Sequence, residues 1–189
     1  MNPKFVIYTG PMFGAKTTRL VADIDRETYK GRTVIAFKAS RDKRYNEDAI
    51  TTHSGASFPA NPVSSGEMLK ERLFNIIRGK DPENVIVAVD EVFMIQGIDD
   101  ALIDLFKSGF SIIASSIQLD ADDNPFESVM RIMPYATKIE VCPAVCTKCD
   151  QDAYYTQALY DIQNTPHEDR VGGKEMYEPR CFRHFSNFN

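Results

Sequence analysis

The sequence lacks the features typical of membrane, secreted and nucleic-acid-binding proteins. No apolar run approaches the roughly 20 residues of a membrane span. The start, MNPKFVIYTG, has one lysine and too short an apolar run for a signal peptide, so we expect a cytoplasmic protein. Lysine and arginine total 22 against 27 acidic residues, a net charge of −5, which argues against general affinity for DNA or RNA. Internal repeats, low-complexity tracts and coiled-coil heptads are also absent from the sequence.

Up to residue 141 the sequence instead alternates strand-like and helix-like segments. Predicted strands cover residues 4–9, 33–40, 84–92, 110–119 and 137–141. Predicted helices cover residues 17–31, 64–80, 97–109 and 128–136. This order predicts an α/β fold in which helices flank a parallel sheet, as in P-loop nucleotide-binding proteins. The polar stretch from 41 to 62 is predicted to be a long connecting loop of the kind that often carries function.

The first predicted strand enters a candidate phosphate-binding loop, IYTGPMFGAKTT. The usual pattern is G-x-x-x-x-G-K-[ST], and its second glycine is replaced here by Ala15. A loop between strand and helix directs backbone N–H groups at one point, where Lys16 would contact phosphates and Thr17 would ligate Mg²⁺. The predicted ATP-binding residues of the loop are Gly10, Pro11, Met12, Phe13, Gly14, Ala15, Lys16 and Thr17.

The substitution at Ala15 raises a conformational question. A non-glycine residue in a left-handed conformation costs about 1–2 kcal/mol, so alanine is tolerated only if its backbone is near-helical. We expect Gly14, one position earlier, to take up any unusual dihedral angle. An Ala15→Gly change is then expected to alter ATP affinity by less than about tenfold.

Two acids, Asp90 and Glu91, follow the apolar run VIVAV. In nucleotide-binding folds an acid at the end of a buried strand beside the loop holds Mg²⁺, and Asp90 suits that role. Glu91 could accept a proton from a substrate hydroxyl, as in a kinase, or from water, as in an NTPase. Two solvated acids at a strand end are the alternative.

The four cysteines cluster near the C-terminus, and three of them form short-spaced pairs with a fourth ligand. Cys146-x-x-Cys149 and Cys181-x-x-His184 together predict a closed, structural Cys₃His zinc site. A redox pair or ordinary thiols are the alternatives. Cys142 is predicted to be a buried cysteine at a strand end. We therefore expect a nucleotide-binding unit over residues 1–141 and a small zinc-binding subdomain over 142–189.

In this order the motifs resemble the cytosolic, zinc-containing (type II) family of thymidine kinases, and the resemblance extends almost from end to end. The pieces that carry it are GPMFGAKT (10–17), DKRY (42–45), TTHSG (51–55), VDE (89–91), NPF (124–126), AVCTKC (144–149), AYYT (153–156), VGG (171–173) with Tyr177, and CFRH (181–184). The length is similar to that of bacterial or phage members.

The resemblance implies transfer of the γ-phosphoryl group of ATP to the 5′-hydroxyl of thymidine, with Mg²⁺, to form dTMP for DNA synthesis. It implies that Glu91 is the general base, and that a loop between the zinc-ligand pairs, the lasso, covers the nucleoside. The implied substrate-binding residues are Met12, Arg44, Phe126, Thr156, Val171, Gly172, Gly173 and Tyr177. A homotetramer and feedback inhibition by dTTP are further family expectations.

The sequence departs from the family pattern in two places near the implied base pocket. The family commonly has D-E-x-Q-F, whereas Phe93 and Met94 occupy the last two of these positions here. Where relatives often have L-D-x-D-F, this chain has the segment 117–121, which ends in Ala121. Three hypotheses follow: a thymidine kinase, a deoxynucleoside kinase of altered base specificity, and a P-loop ATPase without a nucleoside acceptor. A zinc-containing nucleic-acid-binding module is disfavoured by the net acidity.

Overall fold

In a computed structural model of the protein, residues 2–42, 47–161, 164–166 and 170–188 are described. The strands are β1 (Phe5–Thr9), β2 (Thr33–Ala39), β3 (Ala49–Thr51), β4 (Ser57–Pro59), β5 (Asn61–Val63), β6 (Val85–Asp90), β7 (Ser111–Ser115), β8 (Lys138–Val141), β9 (Ala144–Val145), β10 (Asp152–Ala153), β11 (Tyr155–Ala158) and β12 (Tyr177–Arg180). The α-helices are α1 (Lys16–Tyr29), α2 (Gly66–Ile77), α3 (Ile98–Lys107) and α4 (Glu127–Ile132).

Six of the strands form one parallel sheet in the order β5-β2-β6-β7-β1-β8. Every residue of β6 and β7 is buried, because helices cover both faces of the central strands. Leu20 and Ile24 of α1 pack on one face, while Leu69 of α2 and Leu102 of α3 pack on the other. The predicted α/β fold with a flanked parallel sheet is confirmed.

The helix boundaries follow from local chemistry. The hydroxyl of Ser65 accepts a hydrogen bond from the backbone N–H of Met68 and caps the N-terminus of α2. Helix α1 ends before Gly31, which adopts a φ of 79°. The backbone N–H of Gly31 donates to the carbonyl of Thr28 in the turn that stops the helix. Both signals were recognisable in the sequence.

The segment between β2 and α2 corrects the prediction of a long loop. It contains the antiparallel hairpin β3–β4, and β5 is an edge strand of the main sheet. The run of β5 is only NPV, and a proline lowers the strand propensity of any such run. Pro62 is tolerated because β5 has a sheet partner on one side only. Strand β7 also ends at Ser115, four residues earlier than predicted.

After β8 the chain forms a C-terminal lobe, by which we mean the described residues from 142 to 188. It contains two short antiparallel pairs, β9 with β10 and β11 with β12. Its largest buried cluster consists of Ala144, Cys146, Ala153 and Cys181. Cys142, at the end of β8, is fully buried as predicted. A domain boundary at 141/142 stays a prediction.

Among the described residues, none of the helices is both long and apolar enough to cross a membrane.

Candidate active site

The loop between β1 and α1 approaches the chain after β8 closely. A Cβ atom added to Gly10 or Gly14 would lie 2.4 or 2.3 Å from the carbonyl oxygen of Cys142. Such contacts are not possible for any side chain, so both positions need glycine. The backbone N–H of Cys142 also donates to the carbonyl of Thr9 at 2.7 Å. The two glycines are therefore explained by close backbone approach.

Two other residues of this loop carry the unusual dihedral angles. Phe13 has a φ of 67° and Ala15 has a φ of 56°, both in the left-handed region. The expectation that Gly14 would absorb this conformation is wrong, because Gly14 does not adopt a positive φ. Ala15, which precedes the first residue of α1, is exposed. The strain at Ala15, about 1–2 kcal/mol, is thus the cost of lacking glycine there.

Lys16 and Thr17 begin α1 and point toward the end of the sheet. The ammonium of Lys16 is buried and donates to the carbonyl of Pro11 at 2.6 Å. The hydroxyl of Thr17 lies 3.2 and 3.4 Å from the two carboxylate oxygens of Asp90. A hydroxyl and a carboxylate at this separation offer two oxygen ligands of the kind that Mg²⁺ prefers. The predicted pairing of Thr17 with Asp90 is thus present in the structure.

Asp90 is the last residue of β6 and is almost completely buried. Burial and the neighbouring charge of Glu91 raise the pKa of Asp90 to about 7, although the hydroxyl of Ser115 donates to it and opposes this shift. The backbone N–H of Glu91 also donates to Asp90 at 3.1 Å. A carboxylate held this way binds a cation readily, because a positive charge removes the penalty for ionising it in a buried site.

Glu91 turns the chain out of β6 into a short 3₁₀ helix. Its φ of 53° is left-handed, which is uncommon for glutamate and frequent at functional sites. Glu91 and Asp90 line the same cavity as Lys16 and Thr17. The cavity has a volume of about 590 Å³, within the usual range for small-molecule sites. The two acids are therefore part of a pocket, which disfavours the alternative of two solvated acids.

Most predicted substrate-binding residues line this cavity. They are Met12, Phe126, Thr156, Val171, Gly172, Gly173 and Tyr177. Arg44 lies outside the described residues. Thr156 uses its hydroxyl to accept the backbone N–H of Met12 at 3.0 Å. The hydroxyl of Tyr177 donates to the carbonyl of Arg170 at 2.6 Å, so its ring is held against the lasso.

The positions that depart from the family pattern also line the cavity. Phe93 packs against Phe126 with 4.6 Å between the ring centroids. Met94 and Ala121 are further lining residues. An aromatic pair is therefore retained on one wall, although Ala121 has no ring.

Sequence reasoning missed several residues of the site. Lys38 is a buried cation that lines the cavity and is paired in register with Asp90 on the neighbouring strand. A lysine inside the apolar run TVIAFKAS was the available signal. Arg170 lines the cavity too and forms an ion pair with Asp122 at 3.3 Å, which joins the lasso to the loop before α4. No local signal distinguished Arg170 or Ser115.

The predicted zinc ligands come together in the C-terminal lobe. The ligand atoms of Cys146, Cys149, Cys181 and His184 all lie within 4.8 Å of one another. The Sγ atoms of Cys149 and Cys181 are 3.6 Å apart, near the roughly 3.8 Å between sulfurs around tetrahedral zinc. Burial raises the pKa of Cys146, but hydrogen bonds from the backbone of Cys181 and Lys148 and from His184 outweigh it and lower that pKa to about 6. The cluster could hold a metal ion, and its donor set fits zinc.

Comparison with known proteins agrees with this geometry. The family model "Thymidine kinase" matches residues 4–185. Curated proteins named thymidine kinase are 38% identical in Pyrobaculum aerophilum (95% of this chain, 97% of the relative) and 34% identical in Thermococcus kodakarensis (94% and 91%). A third, from Mesoplasma florum, is 34% identical over 93% of this chain and 87% of its own length. The chain belongs to the thymidine kinase family.

Proposed function

We propose that the protein transfers the γ-phosphoryl group of ATP to the 5′-hydroxyl of thymidine and so forms dTMP. One observation carries this proposal. A single cavity brings the phosphate-loop residues Lys16 and Thr17 together with Asp90, Glu91 and the lasso. An ATPase needs the phosphate loop and the two acids, and has no use for a space lined by the lasso beside them.

Within this proposal the phosphate loop binds ATP. Its backbone N–H groups and the N-terminus of α1 face the phosphates, and Lys16 supplies the positive charge. Thr17 and Asp90 are the residues that would hold Mg²⁺. When bound, Mg²⁺ would supply positive charge that neutralises the phosphate oxygens. Catalysis then consists mainly of positioning the reactants and neutralising charge, because the protein itself forms no covalent bond to the substrate.

Glu91 is assigned as the general base. Glu91 directly follows Asp90, the last residue of β6, and lines the same cavity as the lasso. A base in this position accepts the proton of the attacking 5′-hydroxyl while the γ-phosphoryl group passes from ATP to that oxygen and ADP leaves.

The nucleoside is assigned to the part of the cavity under the lasso. Phe126 and Met12 form apolar walls, Tyr177 lies on the sugar side, and Thr156 lies near the thymine methyl group in this assignment. Backbone groups of Val171, Gly172 and Gly173 would read the base edge. Altered base specificity is the second candidate, and Phe93 and Ala121 at changed positions favour testing it.

The Cys₃His cluster is assigned as a structural zinc site. Its four donors leave no open position, and the lobe around it has a very small apolar cluster. We further propose a homotetramer, which the family resemblance supports, and a cytoplasmic location, with no nucleic acid or membrane among the partners. Residues 142–189 are proposed as a separate zinc-binding unit.

Transfer of label from [γ-³²P]ATP to each of the four deoxynucleosides tests the proposal. We expect labelled dTMP, no release of phosphate without a nucleoside, and a kcat/KM for thymidine above those for the other three acceptors. Preference for another deoxynucleoside would replace thymidine by that substrate. Hydrolysis of ATP at the same rate with and without nucleosides would support the ATPase instead.

A further inference from the structure

The phosphate loop touches the C-terminal lobe at points that phosphate binding itself does not need. The backbone N–H of Met12 donates to the hydroxyl of Thr156 on β11 at 3.0 Å. The side chain of Phe13 packs against the buried cluster of the lobe, which includes Cys146 and Cys181. The carbonyl of Cys142 lies against the two glycines of the loop. Contacts from outside the main sheet therefore support the phosphate loop.

The backbone conformation of Phe13 is energetically unfavourable. A bulky residue with a φ of 67° is a genuine outlier, and such a conformation costs about 1–2 kcal/mol. It persists only where the surrounding structure fixes it. The side chain of Phe13 packs against the lobe cluster, and its ring centroid is 6.0 Å from that of His53. These contacts offset the strain of the backbone.

The lobe cluster that receives Phe13 is held partly by the metal ligands. Two of its four buried residues, Cys146 and Cys181, belong to the Cys₃His set. Thr156, the other contact, is on β11, which pairs with β12 directly before Cys181. Both contacts of the phosphate loop therefore depend on the part of the lobe that the metal site organises.

We propose that Phe13 and Thr156 are positioning residues that hold the phosphate loop in its anion-binding shape by docking it on the metal-held lobe. The inference rests on the proposed function, since it takes the loop to be the ATP site. Phe13 acts through its ring, whereas its backbone is part of the loop that faces the phosphates. The zinc site, on this account, supports the ATP site as well as the lasso.

The Phe13→Gly substitution distinguishes an effect of docking from an effect of backbone strain. If strain alone mattered, Phe13→Gly would relieve it and strengthen ATP binding. If docking matters, the same change weakens binding, because the loop loses its contact with the lobe. Phe13→Leu keeps an apolar side chain and is the matched control. Thr156→Val removes the acceptor for Met12 at nearly constant volume, and Thr156→Ser restores it.

The experiment measures binding of Mg²⁺ with the non-hydrolysable analogue adenylyl imidodiphosphate by calorimetry in the full chain. We expect Phe13→Gly and Thr156→Val each to weaken binding about tenfold, a loss of about 1.4 kcal/mol, and Phe13→Leu and Thr156→Ser to stay within about threefold. The KM for ATP, measured at saturating thymidine, should rise by the same factors. Zinc content and circular dichroism are measured for every variant.

The possible outcomes are distinct. Binding by Phe13→Gly as tight as wild type, or tighter, overturns the inference. A lower kcat with an unchanged KM also overturns it, because that pattern reports a smaller folded fraction and no change in the loop. If a glycine variant has lost its zinc, the Thr156→Val and Thr156→Ser pair decides in its place. Failure of the wild type to bind the analogue would instead contradict the proposed function.

Discussion

The main sheet and the C-terminal lobe are stabilised in different ways. In the sheet, fully buried side chains such as Phe37, Leu69 and Ile112 join helices and strands in a continuous apolar core. In the lobe, the largest described cluster has four buried residues, of which two belong to the Cys₃His set. Because burial of apolar surface contributes about 25 cal/mol per Å², the lobe gains much less from it than the sheet does. We propose that a metal held by the Cys₃His set supplies the remaining stability.

The parts of the active site therefore depend on two kinds of support, the apolar core of the sheet and the Cys₃His set of the lobe. Lys16, Thr17, Asp90 and Glu91 lie at the ends of elements that the apolar core fixes. The lasso and Thr156 lie in the lobe. In the proposed account, binding of ATP and of the nucleoside thus depends on both kinds of support, while Asp90 and Glu91 depend mainly on the first. The predictions below separate the two.

Removal of a metal ligand is expected to have the largest effect. A structural zinc site contributes about 10 kcal/mol or more to the folding around it, so Cys149→Ser should lose zinc and the fold of the lobe. Thymidine phosphorylation should fall to background, while hydrogen exchange in β6 and β7 stays slow. Cys142→Ala, which changes a buried cysteine outside the metal cluster, is the control and should keep one zinc per chain. Full activity of a zinc-free Cys149→Ser protein would contradict this division.

A cavity in the apolar core should act on the sheet alone. Leu69 is fully buried, so Leu69→Ala should lower the free energy of unfolding by about 2–5 kcal/mol while zinc content stays unchanged. Urea denaturation measures the first quantity. Tyr29→Ala, at a residue that is 93% exposed, is the control and should change stability by less than about 0.5 kcal/mol. Equal effects of the two substitutions would show that the core is not where the sheet gains its stability.

The buried Asp90 should make the protein without ligands less stable as the pH rises. Its pKa is raised to about 7, so the folded state holds a proton between pH 4 and 7 that the unfolded state has released. Stability due to this group is therefore present below pH 4 and lost as the pH rises through 7. Asp90→Asn should raise the free energy of unfolding at pH 8 by roughly 2–4 kcal/mol, taking 1.36 kcal/mol for each pKa unit, and abolish activity.

At pH 4.5 the same substitution should raise the free energy of unfolding by only about 1 kcal/mol, because the folded state still holds its proton and the unfolded state has only begun to lose its own. Unfolding curves at the two pH values measure the difference. Asp25→Asn, at an exposed position of α1, is the control and should show no such dependence. An equal gain at both pH values would mean that the charge of Asp90 is not what costs stability.

The smallest effect is expected at Ala15. Because Ala15 is exposed and left-handed, Ala15→Gly should relieve strain and raise the free energy of unfolding by up to about 1 kcal/mol. Affinity for ATP should change by less than about tenfold, in contrast to the loss expected for glycine at Phe13. Thermal unfolding and calorimetry measure the two quantities. A gain in ATP affinity well above tenfold would mean that the natural loop is impaired.

The sequence predicted the elements whose signals are local. The run VIVAV before Asp90 predicted β6, and the ligand pairs around Cys146 and Cys181 predicted the metal cluster, because each pattern is complete within a few residues. It failed at β5, where three residues with a proline become a strand only by pairing with β2. Tertiary pairing of this kind has no local periodicity.

The same limit applies inside the site. The left-handed conformations of Phe13 and Ala15 could not be predicted, because no local sequence signal marks them. The hydroxyl of Ser115 on Asp90 and that of Thr156 on Met12 join residues that are distant in the chain. Residue types at a motif are therefore predictable from sequence, while the contacts that orient them need the fold.

The most direct test of the proposed chemistry is a comparison of wild type with Glu91→Gln in the labelled phosphate-transfer assay. The account predicts that the substitution lowers kcat for dTMP formation by about 10²-fold or more, because a general base contributes this much, and leaves ATP binding largely intact. Wild type should release no phosphate without thymidine. Turnover of Glu91→Gln close to that of wild type would contradict the assignment of Glu91 as the base.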